Sequence, residues 1–267
     1  MFRFSAGKVL TLVTVLLFQI LPFSSVLFSN PIIIQPNPDE LILISEVSPD
    51  RESIAKPRAI GELKFLKQKY SPASTFKTYL VLSLLENGAI DPEEKIECSD
   101  KHIPNSPRSL NLREALFYSS NDYFEKIFPK LGKEKLDLTL RKIEYMENGS
   151  EWWTDMSGLK HGGKIRLSPE KVHSSWSKIF ENGYGFSKQI LSDWKQSLFW
   201  SECPERAANV YGKTGSWEGS FWFQGAIVRS ENNYVIYTIL NRSKSGYRTG
   251  TIQRFYEIAG CKVPSLE

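Results

Sequence analysis

A serine followed three residues later by a lysine can place a nucleophile beside its own base when both lie on one helical turn. The sequence holds seven such pairs, at Ser5/Lys8, Ser53/Lys56, Ser74/Lys77, Ser157/Lys160, Ser168/Lys171, Ser175/Lys178 and Ser192/Lys195, so the pattern alone selects none of them. Context separates Ser74/Lys77, which follows Pro72-Ala73 and opens the apolar run STFKTYLVLSLL. There the hydroxyl sits at a helix N-terminus, whose positive end favours the oxyanion formed when serine attacks a carbonyl. A partly desolvated lysine in the same place loses proton affinity and can serve as a base. The plainer alternative makes Ser74 a helix cap and Lys77 a solvated surface lysine.

Two further motifs follow in order. Ser119-Ser120-Asn121 falls at a polar break, where a hydroxyl and a carboxamide two residues apart can point into one cleft. One shuttles a proton and the other holds a substrate amide; the alternative is an N-cap pair for the next helix. Tyr211-Gly212-Lys213-Thr214-Gly215-Ser216 contains the one Lys-Thr-Gly of the chain. On an edge strand it presents a cation, and its glycines let a substrate backbone approach closely. The order Ser-x-x-Lys, Ser-x-Asn, Lys-Thr-Gly, at separations of 45 and 94 residues, is far less easily met by chance than any member alone.

The elements that must position these residues are legible in outline. Residues 41–45 form a short apolar run that predicts a first strand. Residues 74–85 predict a largely buried helix stopped at Asn87-Gly88. Helices are expected over 112–118 and 122–131 on either side of the polar break, over 169–180 after the Ser168-Pro169 start, and over 187–198. The pattern then turns strand-like over 210–214, 221–229 and 234–241, before a final helix over 249–259. Trp222 and Phe223 are candidates for the cleft rim. Short strand, helical middle, late antiparallel run and final helix together predict an α+β fold.

With 41% hydrophobic and 24% charged residues and a formal charge of +4, the composition is that of a globular protein rather than a disordered one. Basic residues are interspersed with acids, so no nucleic-acid surface is expected. The three histidines, His102, His161 and His173, are widely spaced and form no metal pair. Cys98, Cys203 and Cys261 are an odd set, leaving at least one free or paired between chains. Residues 1–29 read as a secretory signal: Arg3 and Lys8 without an acid, then an apolar run over 9–21 broken by Pro22. The alternative is an uncleaved anchor over 9–28, the one expected membrane contact. Either way the protein is expected to be exported, to the periplasm or another extracytoplasmic space.

The string SPASTFKTYLVLSLLENGAI closely resembles the active-site segment of class D β-lactamases and of related penicillin-sensing receptor domains, and YGKTG with GSFWFQGAIV resembles their second catalytic strand. The likeness runs, with gaps, from about Leu41 onward and identifies one domain over 30–267 as a member of the penicilloyl-serine transferases. It implies their β-lactamase/transpeptidase-like fold, an antiparallel sheet flanked by helices plus a helical lobe with the site between. By that resemblance Ser74 is the nucleophile, Lys77 its base and Ser119 the proton relay to the leaving nitrogen. The N–H groups of Ser74 and Ser216 form the oxyanion hole. Lys213, Thr214, Ser216 and Arg248 hold the substrate carboxylate, and Asn121 joins the substrate-binding set. The implied partner is a β-lactam or a peptidoglycan stem peptide. The expected activity is penicillin acylation at Ser74 followed by hydrolysis. The alternatives are a D,D-peptidase and a sensor that is acylated without turnover.

Departures concern the second half of such a reaction. Class D enzymes deacylate through a CO2-carboxylated lysine in a dry pocket, with a valine where this chain has Asn121; carboxylation of Lys77, the one cofactor-like group the resemblance raises, is therefore disfavoured. The family's Tyr-Gly-Asn segment is not evident over 142–158, and its next tryptophan has no clear counterpart. Lys160 or His161 falls near that place, with Trp152 or Trp153 as substitutes.

Overall fold

The computed structural model describes residues 34–47, 56–103, 108–146, 151–243 and 246–264. The signal or anchor expected within residues 1–29 lies outside them. Among the described residues, no helix is long and apolar enough to cross a membrane.

Six strands form one antiparallel sheet. β1 (Glu40–Val47) and β2 (Arg58–Gly61) come first in the chain, whereas β5 (Phe199–Cys203), β6 (Ala208–Trp217), β7 (Ser220–Ser230) and β8 (Asn233–Asn241) come late. The spatial order β2-β1-β8-β7-β6-β5 pairs the first strand with the last, Glu40 opposite Asn241. The short strands β3 (Ile96–Glu97) and β4 (Ser109–Leu110) pair separately. Between β2 and β5 the chain builds a helical lobe from α1 (Lys77–Glu86), α2 (Leu112–Tyr118), α3 (Asp122–Leu131), α4 (Lys133–Lys142), α5 (Pro169–Phe180) and α6 (Lys188–Ser197). The last helix, α7 (Arg248–Ala259), returns to the sheet. The fold is α+β, as the order of patterns predicts.

Each face of the sheet covers its own core. The lobe side collects α1 almost whole, since residues 77–85 are all buried, together with Trp176, Trp194 and Leu240. The other side packs α7 through Ile252, Phe255 and Tyr256 on Phe223, Ile227 and Ile239. An α-helix buried on every side reads as hydrophobic all round, which is why residues 78–85 carry no polar stripe. Indole N–H groups tie the layers together: Trp194 Nε1 donates to Thr78 O (2.8 Å) and Trp222 Nε1 to Ser71 O (3.0 Å). Ser168 caps α5 by accepting from Lys171 N (3.2 Å), with Pro169 at its first position. His173 on α5 bridges to the sheet through Ser45 Oγ (2.9 Å) and Thr238 Oγ1 (3.0 Å). Burial lowers its pKa to about 4, so it is a neutral structural histidine. A disulfide joins Cys203, at the end of β5, to Cys261 beyond α7, and Cys98 is the free thiol.

Three expectations need correction. Lys213 does not lie on the first strand of the late run, because β5 precedes it, and β6 is fifth of six strands rather than an edge. However, β5 pairs only with Ala208 to Tyr211, and Gly212 is held by Leu198 O and the Trp200 indole, so from Lys213 onward β6 is a free edge along the very stretch that carries Lys-Thr-Gly. Trp222 and Phe223 do not reach a cleft rim. Trp222 is buried against the lobe and Phe223 in the opposite core, as alternation along a strand requires.

Candidate active site

The nucleophile candidate is presented by a strained turn. Residues 73–76 form a 3-10 turn that runs straight into α1, and Ala73 immediately before Ser74 holds φ = +51° although it carries a Cβ. The turn is pinned from three sides: Ala73 N donates to Ser71 Oγ (3.2 Å), Ser71 Oγ to His161 O (3.2 Å), and β6 presses on it at Gly215. A Cβ at Gly215 would stand 2.9 Å from Pro72 O and 3.1 Å from Ala73 Cβ, so only glycine allows the strand this close to the serine. Ser74 Oγ donates to Lys160 O (3.3 Å).

Lys77 leaves the first turn of α1 on the same side and is fully buried. Its Nζ donates to Ser119 O (2.7 Å), Ser120 O (2.8 Å) and Asn121 Oδ1 (2.7 Å). Burial brings its pKa down to about 7; Asp100 and Glu125 pull it back up, while Lys160 and Arg248 push it further down. Three oxygens face Nζ, as many as an ammonium has hydrogens, and a pKa of about 7 lets the amine gain or lose its proton near neutrality.

The Ser-x-Asn motif is a break between helices. Ser119 ends α2 in the left-handed region at φ = +61°. That conformation turns its carbonyl toward Lys77 and its hydroxyl toward Lys213, whose Nζ donates to Ser119 Oγ (2.9 Å) and Thr214 O (3.0 Å). Ser119 thus lies between two lysines. Lys213 is fully buried; burial, then Lys77 and Arg248, holds its pKa well below the ordinary lysine value. Asn121 spends its oxygen on Lys77 and leaves its amide nitrogen as the donor end.

On β6, Gly212 N donates outward to Leu198 O (2.8 Å), and the period of two then directs the N–H of Ser216 off the free edge as well. Arg248, the first residue of α7, donates Nε to Thr214 Oγ1 (2.9 Å) and Nη2 to Phe117 O (3.1 Å), crossing from strand to lobe. Ser74, Ser119, Asn121, Thr214, Ser216 and Arg248 all line one cleft of about 830 Å³. Lys77 and Lys213 sit beneath it. A second cavity, about 670 Å³, lies over Tyr145 and Trp152 and contains none of these residues.

Of the residues named for the missing tryptophan, one lines the cleft. Lys160 lines the cleft and pairs with Glu125 (3.7 Å), whereas Trp152 packs behind Phe76 (5.5 Å between ring centres) and Trp153 stacks on Phe128 (5.3 Å). Neither tryptophan faces the cleft. His161 supports the wall by stacking on the half-exposed Trp217 (4.5 Å). The aromatic wall residues Trp200 and Trp217 and the buried carboxylate of Asp100 were not readable from the sequence; Asp100 sits in a polar loop, Cys98-Ser99-Asp100-Lys101, with no periodicity to mark it.

The fold and the sequence have counterparts in known proteins. The fold is similar to BPu1 β-lactamase, with a TM-score of 0.71 and 21% identity over 85% of this chain and 95% of that one. The chain is 25% identical to β-lactamase OXA-10 of Pseudomonas aeruginosa over 222 residues, 78% of this chain and 82% of that protein. It is 26% identical to regulatory protein BlaR1 of Staphylococcus aureus over 192 residues, 67% of this chain. That match covers 31% of BlaR1, so the chain spans about a third of the length of that relative. The model of the penicillin binding protein transpeptidase domain matches residues 37–257, and the chain belongs to that family of penicilloyl-serine transferases.

Proposed function

We propose that the protein is an active-site serine acyltransferase whose Ser74 is acylated by penicillins or by the matching acyl-peptide bond, and that it releases the acyl group slowly. Neutral Lys77 takes the Ser74 hydroxyl proton as Oγ attacks the lactam carbonyl. The N–H groups of Ser74 and Ser216 bear the oxyanion. On collapse the carbonyl–nitrogen bond breaks, and Ser119, backed by Lys213, passes a proton to the nitrogen. Thr214, Ser216 and Arg248 receive the substrate carboxylate, and the free edge of β6 takes its extended backbone.

The observation that carries the slow second step is the shell around Lys77 Nζ. Its three partners are all acceptor oxygens, and the carboxylates nearest in effect are Asp100 and Glu125. A carboxylated lysine is an anion and needs donors, so these residues do not fit it. Hydrolysis is the second reading, favoured by the OXA-10 likeness across most of both chains. Export to an extracytoplasmic space, where β-lactams and peptidoglycan stems occur, belongs to the same proposal.

The test is to incubate purified protein with a fluorescent penicillin and with a chromogenic cephalosporin, with and without bicarbonate. A long-lived labelled band, absent in Ser74→Ala and unaffected by bicarbonate, is expected. Bicarbonate-stimulated turnover would overturn slow release, and absence of labelling would overturn acylation itself.

A further inference from the structure

We propose that Asp100 is a positioning residue for acylation, whose buried carboxylate locks the turn at residues 119–121 and so fixes where Lys77 and Ser119 stand. The inference rests on the acylation reading above.

The Asp100 side chain is 2% exposed, although it comes from a polar loop ahead of β4. Its Oδ2 accepts the hydroxyl of Ser120, and its Oδ1 accepts the backbone N–H of Asn121 (2.8 Å) and of Asp122 (3.2 Å). Ser120 Oγ in turn accepts from Tyr123 N (3.0 Å), so one carboxylate and one hydroxyl together take the N–H groups of Asn121, Asp122 and Tyr123 at the start of α3. A simple cap would stop at those amides. This one also holds a turn whose first residue, Ser119, is in the left-handed region, and whose two carbonyls and one carboxamide oxygen are the three acceptors of Lys77. Release of the Asp100 clamp frees the strained turn and moves the acceptors of Lys77 together with the hydroxyl that Lys213 holds.

Charge adds to geometry. Lys77 is faced by Glu125 from α3, Lys160 from the 3-10 turn before α5, Lys213 from β6 and Arg248 from α7, besides Asp100. Of the two acids Asp100 has the larger effect, and it raises the proton affinity of Lys77 against its burial. His102, half exposed at the cleft, stands 3.7 Å from Asp100 on the outer side.

Asp100→Asn keeps an oxygen for the two amides but removes the charge. The expected result is a folded protein in which the pH midpoint of Ser74 acylation falls by about half a unit to one unit. Ser120→Ala removes the Oδ2 arm of the clamp and the cap on Tyr123 N but keeps the charge; acylation is expected to slow about tenfold or more with the midpoint unchanged. The 13Cε chemical shift of Lys77, titrated by NMR, reads the same midpoint with no β-lactam present, so a protein that fails to label sinks the acylation reading and still tests this one. A wild-type midpoint in Asp100→Asn, or the same shift in Ser120→Ala, would overturn the proposal. If Asp100→Asn does not fold, Asp100→Glu keeps the charge but displaces it: slower acylation at the wild-type midpoint is expected, and wild-type rates would overturn the proposal.

Discussion

Lys77 is the residue at which structure and pH meet. Acylation through it needs the neutral amine, and its pKa lies at about 7, so the labelling rate should climb as pH rises through that value and fall off below it. Rates of fluorescent-penicillin labelling between pH 5.5 and 9 check this; a flat profile would remove Lys77 as the base. Lys77→Ala should lower the rate about 100-fold or more, the usual scale for losing a general base. On the proposed function Arg248 contacts the substrate carboxylate and is not the base, so Arg248→Ala should weaken apparent affinity by about 10- to 100-fold and leave the limiting acylation rate nearly unchanged. At this scale the sequence was informative where a motif had a fixed order, as for Ser74, Ser119 and Lys213. It was silent on Asp100, because a lone acid in a polar loop looks like solvent-exposed surface until the fold brings a turn against it.

At the scale of elements, two left-handed residues, Ala73 and Ser119, set the directions of the two serines, and no periodicity encodes them. Strand and helix periods located α2 and α3 residue for residue and β6 to β8 to within a few residues. They missed α4: Leu136-Asp137-Leu138-Thr139-Leu140 alternates as a strand would, but Leu136 and Leu140, one turn apart, are buried while Leu138 stays 68% exposed. The strand β5 was missed because Phe199 to Cys203 is short and mixed in polarity. His173 makes a prediction for α5. Its pKa is lowered to about 4 in the folded state against about 6.5 unfolded, so its contribution to stability is complete above pH 6.5 and is lost as pH falls from there toward 4, by about 3 kcal/mol in total. His173→Gln should therefore flatten the loss of thermal stability between pH 6.5 and 4, as followed by circular dichroism melts. Equal acid sensitivity in both proteins would assign it to other groups.

Across the molecule, the Cys203–Cys261 bond closes a loop of 58 residues that contains β6, β7, β8 and α7, hence the Lys-Thr-Gly edge and Arg248 together. In the chain-entropy account a loop of that length is worth about 4 kcal/mol, so denaturant unfolding with and without reductant should differ by about that amount. A difference near zero would mean that packing of α7 on the sheet already fixes the segment. The pairing itself was not legible: three cysteines leave three choices, and only the return of α7 to the end of β5 selects one.

The pairing of β1 with β8 has a consequence in time. Glu40 meets Asn241 across the sheet, so this ladder joins partners separated by nearly the whole lobe, and the turn that bears Ser74 is likewise pinned by the distant His161 and Gly215. A nucleus built on such distant partners is slow to close. The core around α1 includes Leu41, Trp222 and Leu240 of that same sheet, so the cleft takes its final form only with the strand that faces Ser74.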